Sequence, residues 1–292
     1  MVDLFSPEFC AEFYRERYRD LANHSVFELK EHFEMHGRCE GRTASPMATR
    51  EGFSGALQGV STGLEIGPFN KPVLRFEGAK FFDVLSTYDL QQHAVSIDEC
   101  PDGVPDIDFL SRDGDLSIVL DSFDLVFSSH CIEHQPDLVK HLKHVDRLLN
   151  NGGVYAVIIP DCRFCFDHFL PASHIGEVVE AHLEERTVHR LAKIIEHRAM
   201  TTHNDSMRHW KGDHGQPGPN LSTLRNAVSK WEAANGGYID VHAWQFTPES
   251  FRAIIRALNR HYPSNLWFSA NCSSVSAAME EIAFRSHLTV LI

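Results

Sequence analysis

A short apolar strand ending in Glu-x-Gly, with an acidic residue roughly 20 positions later, constrains the fold of this chain more than any other feature. The first part is Gly63-Leu64-Glu65-Ile66-Gly67, and Asp83 closes a second strand-like run. In open α/β sheets that bind nucleotide-like ligands, a tight turn follows the first strand and such a carboxylate holds the ribose hydroxyls. The pair predicts an α/β fold with a nucleotide-like ligand at the carboxyl ends of the first strands.

Strand-like and helical patterns alternate along the rest of the chain, which is typical of a parallel sheet with helices on its faces. Apolar residues at helical spacing from Leu138 to Leu149 predict a helix that Asn150-Asn151-Gly152-Gly153 ends, and Thr247-Pro248 predicts the start of another. The expected strands are 64–66, 81–85, 107–110, 123–129, 154–159, 266–269 and a run from Ile282 onward.

The chain divides into three parts. Residues 1–43 are expected to form a small module of two short helices, and residues 44–61, rich in Ser, Gly, Ala and Thr, a linker. Residues 62–292 form the main domain, with an insertion at about 168–237 that begins with a long helical pattern. Its polar, histidine-rich stretch, Thr201–Pro219, is expected to be a lid over an acceptor, because long loops tend to be functional or disordered.

Charge and composition limit the partners. A net charge of -13 at pH 7 disfavours nucleic acid, since binding the phosphate backbone requires clustered Lys and Arg. No apolar run approaches the length of about 18 residues that spans a bilayer, and the first residues lack a signal-peptide pattern. The seven scattered cysteines fit reduced thiols. We therefore expect a cytoplasmic protein without a membrane span; the oligomeric state is not encoded in any pattern we recognise.

Several motifs occur in a fixed order: Glu65-x-Gly67, Asp83, Phe123-Asp124-Leu125-Val126-Phe127-Ser128-Ser129-His130-x-x-Glu133-His134 and Leu148-Leu149-x-x-Gly152-Gly153. From about Gly63 to the C terminus, the chain thereby resembles a class I S-adenosylmethionine-dependent methyltransferase. The resemblance implies a Rossmann-like, seven-stranded sheet whose last strand is antiparallel. It also implies that S-adenosyl-L-methionine lies across the carboxyl ends of the first strands. One departure is the turn Gly67-Pro68-Phe69-Asn70, which has fewer glycines than is usual in the superfamily.

Two further motifs resemble a bacterial subgroup often found near polysaccharide or cell-surface synthesis functions. They are Pro160-Asp161-x-Arg163-Phe164-x-Phe166-Asp167 and Asp240-Val241-His242-Ala243-Trp244-x-Phe246-Thr247-Pro248. This resemblance implies a sugar or glycan acceptor. The N-terminal part is also similar to a small helical module, at Tyr18-Arg19-Asp20-Leu21 and from His32 to Arg42, to which we assign no function.

Gly67 lets the backbone approach a ligand where a Cβ would clash, and Glu65 either orders that turn or meets the ammonium group of the cofactor. Asp83 is the expected ribose ligand, and Asp108 lies where the family holds adenine. Each of these roles has an alternative. Glu65-x-Gly67 could be an ordinary turn with an acidic cap, Asp83 a turn residue at a strand end, and Asp108 part of a charged loop. The full set of expected cofactor contacts is Glu65, Gly67, Pro68, Asp83, Asp108, Ser129 and His130.

Methyl transfer from a sulfonium is a displacement, so a base is needed only where the acceptor must lose a proton, as a hydroxyl does. The catalytic candidates are His130, His134 and Asp161, although His134 is also interpretable as a structural residue that anchors the next helix. The expected acceptor contacts are Arg163, His214, His242 and Trp244.

Other functions compete with methyl transfer. His130-Cys131-Ile132-Glu133-His134 also matches the His-x-x-Glu-His pattern of one zinc peptidase group, which would make the protein a metal-dependent hydrolase. The motif directly follows a strand and precedes Gln135-Pro136, so we do not expect both histidines on one helical turn, and we predict no metal site. A metal-assisted methyltransferase that uses Asp161, His209, Asp213 or His214 and a non-catalytic cofactor-binding scaffold are the remaining alternatives.

Overall fold

The computed structural model describes residues 9–37, 39–40, 42–45, 50–218 and 221–261, and the backbones of 268–273 and 281–288. Its α-helices are α1 (Ala11–Arg17), α2 (Val26–His32), α3 (Arg50–Ala56), α4 (Thr87–Ser96), α5 (Leu138–Leu148), α6 (Ile175–Leu183), α7 (Leu191–Ala199), α8 (Ser206–Trp210), α9 (Leu221–Ala234) and α10 (Pro248–His261). Its strands are β1 (Gly63–Ile66), β2 (Ala79–Asp83), β3 (Phe109–Leu110), β4 (Phe123–Ser129), β5 (Leu149–Pro160), β6 (Phe268–Ser273) and β7 (Glu281–Leu288).

Strands β1 to β5 form a parallel sheet in the order β3-β2-β1-β4-β5. This arrangement confirms the predicted α/β fold. The strand order reverses between β1 and β4, and in open α/β sheets ligands bind at the carboxyl ends beside such a reversal. The backbones of β7 and β6 continue the sheet beyond β5, and each pairs antiparallel with its neighbour. Residues 266–267 of a predicted strand lie outside the described residues.

Helices cover both faces of the sheet, so its strands are buried on both sides, as is usual for a parallel sheet. On one face, Leu138, Leu142 and Val145 of α5 pack against the strands, as their spacing predicts. The apolar side of α10 joins the same core through Phe251 and Ile254. The strand ends are thereby held in a rigid edge that can position ligand-binding side chains.

Helix α3 lies within the segment predicted to be a linker. Its Phe53 is fully buried and packs on Phe127 of β4, with ring centroids 6.4 Å apart. Leu57, just after the helix, joins the same cluster. Burying one such side chain contributes about 1.5–3 kcal/mol, so this segment is part of the packed domain, which its small-residue composition does not indicate.

The insertion is more helical than predicted. The single helical pattern expected at 175–200 forms two helices, α6 and α7, interrupted where Glu185 adopts a φ of 50°. The histidine-rich stretch expected to be a long loop, Thr201–Pro219, contains α8. Ile194 of α7, Ala227 of α9 and Val241 pack together into a small core of their own.

The N-terminal module has its own apolar cluster. Tyr14 of α1 and Leu29 of α2 are buried there together with Phe33, whereas Val26 at the start of α2 is 60% exposed. Arg42 pairs with Asp20 at 2.8 Å. Within the described part of the chain, none of the helices has the length and apolar character needed to cross a membrane.

Candidate functional site

A cavity of about 560 Å³ opens at the carboxyl ends of the central strands, beside the reversal in strand order. We call it the first cavity. It is lined from β1 by Ile66 and Gly67, from β2 by Phe82 and Asp83, and after β4 by His130 and Cys131. Its volume falls within the range of about 300–1,000 Å³ that is usual for small-ligand sites.

Gly67 forms the close wall of the first cavity. Its φ is 71°, a left-handed conformation that residues with a Cβ rarely adopt. A Cβ at this position would lie 2.6 Å from Sγ of Cys131, which is well inside the contact distance. The turn therefore requires glycine here, and the backbone of Gly67 lines the cavity. The adjacent Pro68 is buried but is not among the residues that line the cavity.

Asp83 ends β2 and lines the first cavity while remaining only 7% exposed. One carboxylate oxygen accepts a hydrogen bond of 2.9 Å from the backbone N–H of Leu85, which fixes the side chain. Burial raises the pKa of this carboxyl, and the backbone N–H groups of Leu85 and Val84 oppose that rise. A buried acceptor at a strand end is suited to binding the paired hydroxyls of a ribose.

Glu65 is not among the residues that line the first cavity. Its buried carboxylate accepts hydrogen bonds from the backbone N–H groups of Val73, at 2.9 and 3.0 Å, and Leu74, at 2.8 Å. Of the two roles expected for Glu65, these contacts match the ordering of the loop after β1. The carboxylate holds that loop in place, and the loop in turn carries Gly67.

The residues that follow β3 line the first cavity, whereas Asp108, which the sequence predicted as a cofactor contact, does not. Asp108 is exposed and accepts a hydrogen bond of 2.8 Å from the backbone N–H of Phe81, away from the cavity lining. Arg112, Asp113 and Gly114 line the cavity instead. Sequence reasoning missed these three, although they directly follow a strand that the same reasoning had located and the carboxyl-end rule applies to it.

A second cavity of about 320 Å³ adjoins the first and shares His130 and His134 with it. Its other lining residues include Glu133, Phe166 and His242. His130 has a φ of 53°, so its side chain leaves the end of β4 in a direction that an extended residue would not take. Ser129, also predicted at this strand end, has a buried hydroxyl and lies outside both cavity linings.

Two histidines of the second cavity are each held by an aspartate. Nδ1 of His134 lies 2.8 Å from Oδ1 of Asp240, and Nδ1 of His242 lies 2.6 Å from Oδ2 of Asp167. Burial favours neutral His134, but the hydrogen bond to Asp240 and the charge of Glu133 outweigh it and raise its pKa. The same hydrogen bond lowers the pKa of Asp240 to about 2.

The backbone brings these histidines together although they are far apart in sequence. Residues 132–134 form a 3₁₀ turn after β4, and the carbonyl oxygen of Glu133 accepts hydrogen bonds from the N–H groups of Ala243 at 2.7 Å and Trp244 at 3.2 Å. His242 is thereby fixed beside the turn. The 3₁₀ geometry also means that His130 and His134 do not share an α-helical face, as the sequence context predicts.

Three other predicted residues lie away from the two cavities. Both carboxylate oxygens of Asp161 accept hydrogen bonds from the guanidinium of Arg163, so these two side chains are paired with each other. The indole N–H of Trp244 donates to the carbonyl oxygen of Gln135 at 2.7 Å, and its ring lies in the core on the side of a third, smaller cavity. The roles predicted for these residues in catalysis and acceptor binding are not supported by contacts with either cavity.

His214 lies in a separate cluster of histidines in the insertion. Its ring stacks on that of His168, with centroids 3.6 Å apart, and its Nδ1 lies 3.0 Å from Nδ1 of His209. Trp210 stacks on Phe164 at 3.8 Å, which leaves its ring engaged with a protein side chain. The predicted lid is therefore held by contacts within the chain.

Comparison with known proteins identifies part of the chain. Residues 80–157 match the family described as "Methyltransferase domain". This segment runs from β2 to β5 and includes Asp83, His130 and His134. No curated protein matches.

Solved structures of methyltransferases are also similar. They include the CcbJ methyltransferase of Streptomyces caelestis, at 20% identity over 38% of this chain and 51% of that chain, with a TM-score of 0.29. An S-adenosylmethionine-dependent methyltransferase of Clostridium acetobutylicum is 12% identical over 47% of this chain and 59% of that chain, with a TM-score of 0.28. The chain thus spans little more than half of the length of each of these two proteins.

The matched segment and the observed sheet agree with one another. The segment contributes four of the five parallel strands and includes the buried acid of the first cavity, whereas the glycine turn lies before the segment. The chain contains an S-adenosylmethionine-dependent methyltransferase domain.

Proposed function

We propose that this protein transfers the methyl group of S-adenosyl-L-methionine to an oxygen atom of a small-molecule or glycan acceptor. The observation that carries this proposal is the shared wall between the two cavities. His130 and His134 line both, so a cofactor in the first cavity and an acceptor in the second would meet at these side chains. Adjacent, oriented reactants are the main requirement of a displacement reaction.

The cofactor would lie with its ribose at Asp83 and its sulfonium end toward His130. The acceptor oxygen then attacks the methyl carbon, the carbon–sulfur bond breaks, and S-adenosylhomocysteine is left. A hydroxyl acceptor also loses its proton, and the histidines at the shared wall are within reach of that position. Asp161 is less suited to this role, because its carboxylate is engaged by Arg163.

The polar lining of the second cavity supports a hydroxyl-bearing acceptor. Imidazole groups of His130, His134, His197 and His242 surround it, and Phe166 supplies an aromatic side chain. Such a mixture of polar groups and one ring is suited to a sugar, which presents hydroxyls at its edge and an apolar face. The subgroup resemblance points to the same class of acceptor. The seven-stranded methyltransferase sheet and a cytoplasmic location also belong to this proposal.

Calorimetric titration of S-adenosylhomocysteine tests the proposal. Wild-type protein should bind one molecule per chain, and Gly67→Trp should abolish binding by filling the first cavity. Gly152→Trp is a matched control, since Gly152 has a similar φ of 78° but a Cβ added there would have no neighbour within 4 Å. A wild type that binds nothing, or a folded Gly67→Trp variant that binds as well as the control, would refute the proposal.

A further inference from the structure

Glu133 is fully buried, and neither of its carboxylate oxygens has a hydrogen-bond partner within the part of the chain that the structure describes. A buried carboxylate without compensation costs several kcal/mol, so such a group requires a nearby positive charge. The nearest candidates are imidazole nitrogens. Oε1 of Glu133 lies 3.7 Å from Nδ1 of the partly exposed His130, 3.9 Å from Nε2 of His134 and 4.0 Å from Nε2 of His242. All three distances are too long for hydrogen bonds.

The hydrogen bonds of the His134 and His242 rings define which of their nitrogens face Glu133. Each Nδ1 lies within hydrogen-bond distance of a carboxylate, Asp240 for His134 and Asp167 for His242. A carboxylate accepts, so each Nδ1 donates, and Nε2 is the ring nitrogen that faces the carboxylate of Glu133. A metal ion that binds at Nε2 displaces any proton held there. Oε1 of Glu133 and the two Nε2 atoms therefore converge on one point, as the ligand atoms of a metal ion do.

We propose that Glu133, His134 and His242 bind a divalent transition-metal ion at the wall between the two cavities. The three ligand atoms lie within 4.8 Å of one another. Around a tetrahedral Zn²⁺ with bonds of about 2.0–2.1 Å, ligand atoms are about 3.4 Å apart, so small side-chain movements would close the site. Two imidazoles and one carboxylate suit zinc or iron better than magnesium.

The aspartates complete the usual surroundings of such a site. Histidines that bind metals commonly donate their second ring N–H to a carboxylate, which fixes the ring and increases the basicity of the ligand nitrogen. Asp240 and Asp167 do this for His134 and His242. With Glu133, they place three acidic groups around two imidazoles, and a divalent ion would offset much of that charge.

The second histidine cluster is a weaker candidate for this ion. Nδ1 of His209 already lies 3.0 Å from Nδ1 of His214, and its Nε2 lies 3.1 Å from the carbonyl oxygen of His203. Nδ1 of His168 is 2.5 Å from the carbonyl oxygen of Arg163. These ring nitrogens have protein partners, and the cluster contains no buried carboxylate to be neutralised.

An ion at the shared wall would have a direct use in the proposed reaction, and this part of the inference rests on the proposed function. Bound through its open positions to the acceptor hydroxyl, the metal would lower the pKa of that hydroxyl and stabilise the alkoxide that attacks the methyl carbon. The proton would pass to solvent or to His130, which lies beside the second cavity. The metal is not consumed, and S-adenosylhomocysteine leaves as before.

The test uses the full chain, treated with EDTA and dialysed, then titrated with Zn²⁺ and analysed for bound metal. Wild-type protein should retain one equivalent of Zn²⁺ that Glu133→Gln and His242→Gln lose or bind at least 100-fold more weakly. His209→Gln is the matched control in the other cluster and should retain that equivalent. Asp167→Asn should weaken binding 10- to 100-fold, because it acts only through His242.

Two results would overturn the proposal: a wild type that takes up no Zn²⁺, or Glu133→Gln and His242→Gln variants that bind it as the wild type does. Thermal unfolding of each variant shows whether it is folded, and His242→Gln decides the matter if Glu133→Gln is not. Titration with S-adenosylhomocysteine on the same preparations tests the methyltransferase proposal separately. Zn²⁺ uptake without S-adenosylhomocysteine binding would refute that function and leave the metal site standing.

Discussion

Replacing Asp83 by asparagine should weaken cofactor binding while leaving the fold as stable or more stable. The side chain lines the first cavity, is 7% exposed and is fixed by the N–H of Leu85. Asparagine has the same shape and retains one oxygen, which can still accept from Leu85. It loses the charge and the second acceptor, and with them one charge-assisted hydrogen bond to a ribose hydroxyl.

The expected loss follows from the strength of such a bond. Hydrogen bonds to charged groups contribute about 1.5–3 kcal/mol, so the dissociation constant for S-adenosylhomocysteine should rise roughly 10- to 150-fold. Stability should change in the opposite direction. Burial raises the pKa of Asp83, so the native state favours its neutral form, and above that pKa the ionised carboxylate destabilises the fold. The uncharged amide removes this penalty.

Calorimetry measures the affinity, and urea unfolding at pH 7.5 measures the stability. Asp106→Asn is a matched control, because Asp106 is exposed and lies outside the cavity lining. An Asp83→Asn variant that binds S-adenosylhomocysteine with wild-type affinity would refute the ribose role. A large loss of stability would contradict the expected effect of burial and would show that the carboxylate of Asp83 supports the fold.

Three further predictions concern stability. Gly67→Ala should destabilise the fold by about 1–3 kcal/mol more than Gly152→Ala in urea unfolding, because both positions have positive φ but only Gly67 has a neighbour, Sγ of Cys131, within 2.6 Å of an added Cβ; equal losses would contradict the predicted clash. Phe53→Ala should cost about 3–5 kcal/mol, since the ring is fully buried, whereas a loss below about 1 kcal/mol would show that α3 is a detachable linker. Burial lowers the pKa of His141 to about 3 from 6.5, so its contribution to stability is complete above pH 6.5 and is lost as the pH falls toward 3. Between pH 7 and 5, wild-type protein should therefore lose about 2 kcal/mol that His141→Gln does not lose, and parallel pH profiles would contradict this.

Features that depend on a short stretch of sequence were predictable. The turn after β1 needs a residue that tolerates positive φ, and Gly67 supplies it within the motif itself. Asp83 ends a strand, and the carboxyl ends of parallel strands meet at one edge of the sheet. The α5 helix follows from its apolar spacing and its stop. For these elements local chemistry and the final structure favour the same arrangement.

Features that depend on contacts between distant segments were not predictable. Whether Glu65 faces a ligand or the loop after β1 is decided by where Val73 and Leu74 place their N–H groups. Asp161 and Arg163 form hydrogen bonds with each other, although both belong to the motif after β5 that predicted a functional role for them. The buried position of Phe53 is decided by the face of β4 against which α3 packs, and composition indicates only that the segment is rich in small residues.

The cluster around Glu133 shows the same limit most clearly. The sequence displays His130, Glu133 and His134 as one short pattern, whose local context argued against a metal. His242 lies more than a hundred residues away, and hydrogen bonds between distant segments, such as those from residues 243 and 244 to the carbonyl oxygen of Glu133, bring it to the same carboxylate. A ligand set assembled from two segments cannot be recognised from the spacing within either one.

The most direct test of the account is a crystal structure of the protein bound to S-adenosylhomocysteine. We expect the ligand in the first cavity, with both ribose hydroxyls on the carboxylate of Asp83, the backbone of Gly67 against the ligand and the sulfur directed toward His130 and the second cavity. A ligand bound elsewhere on the chain, or one whose sulfur faces away from the shared wall, would contradict the assignment of the cofactor and acceptor sites.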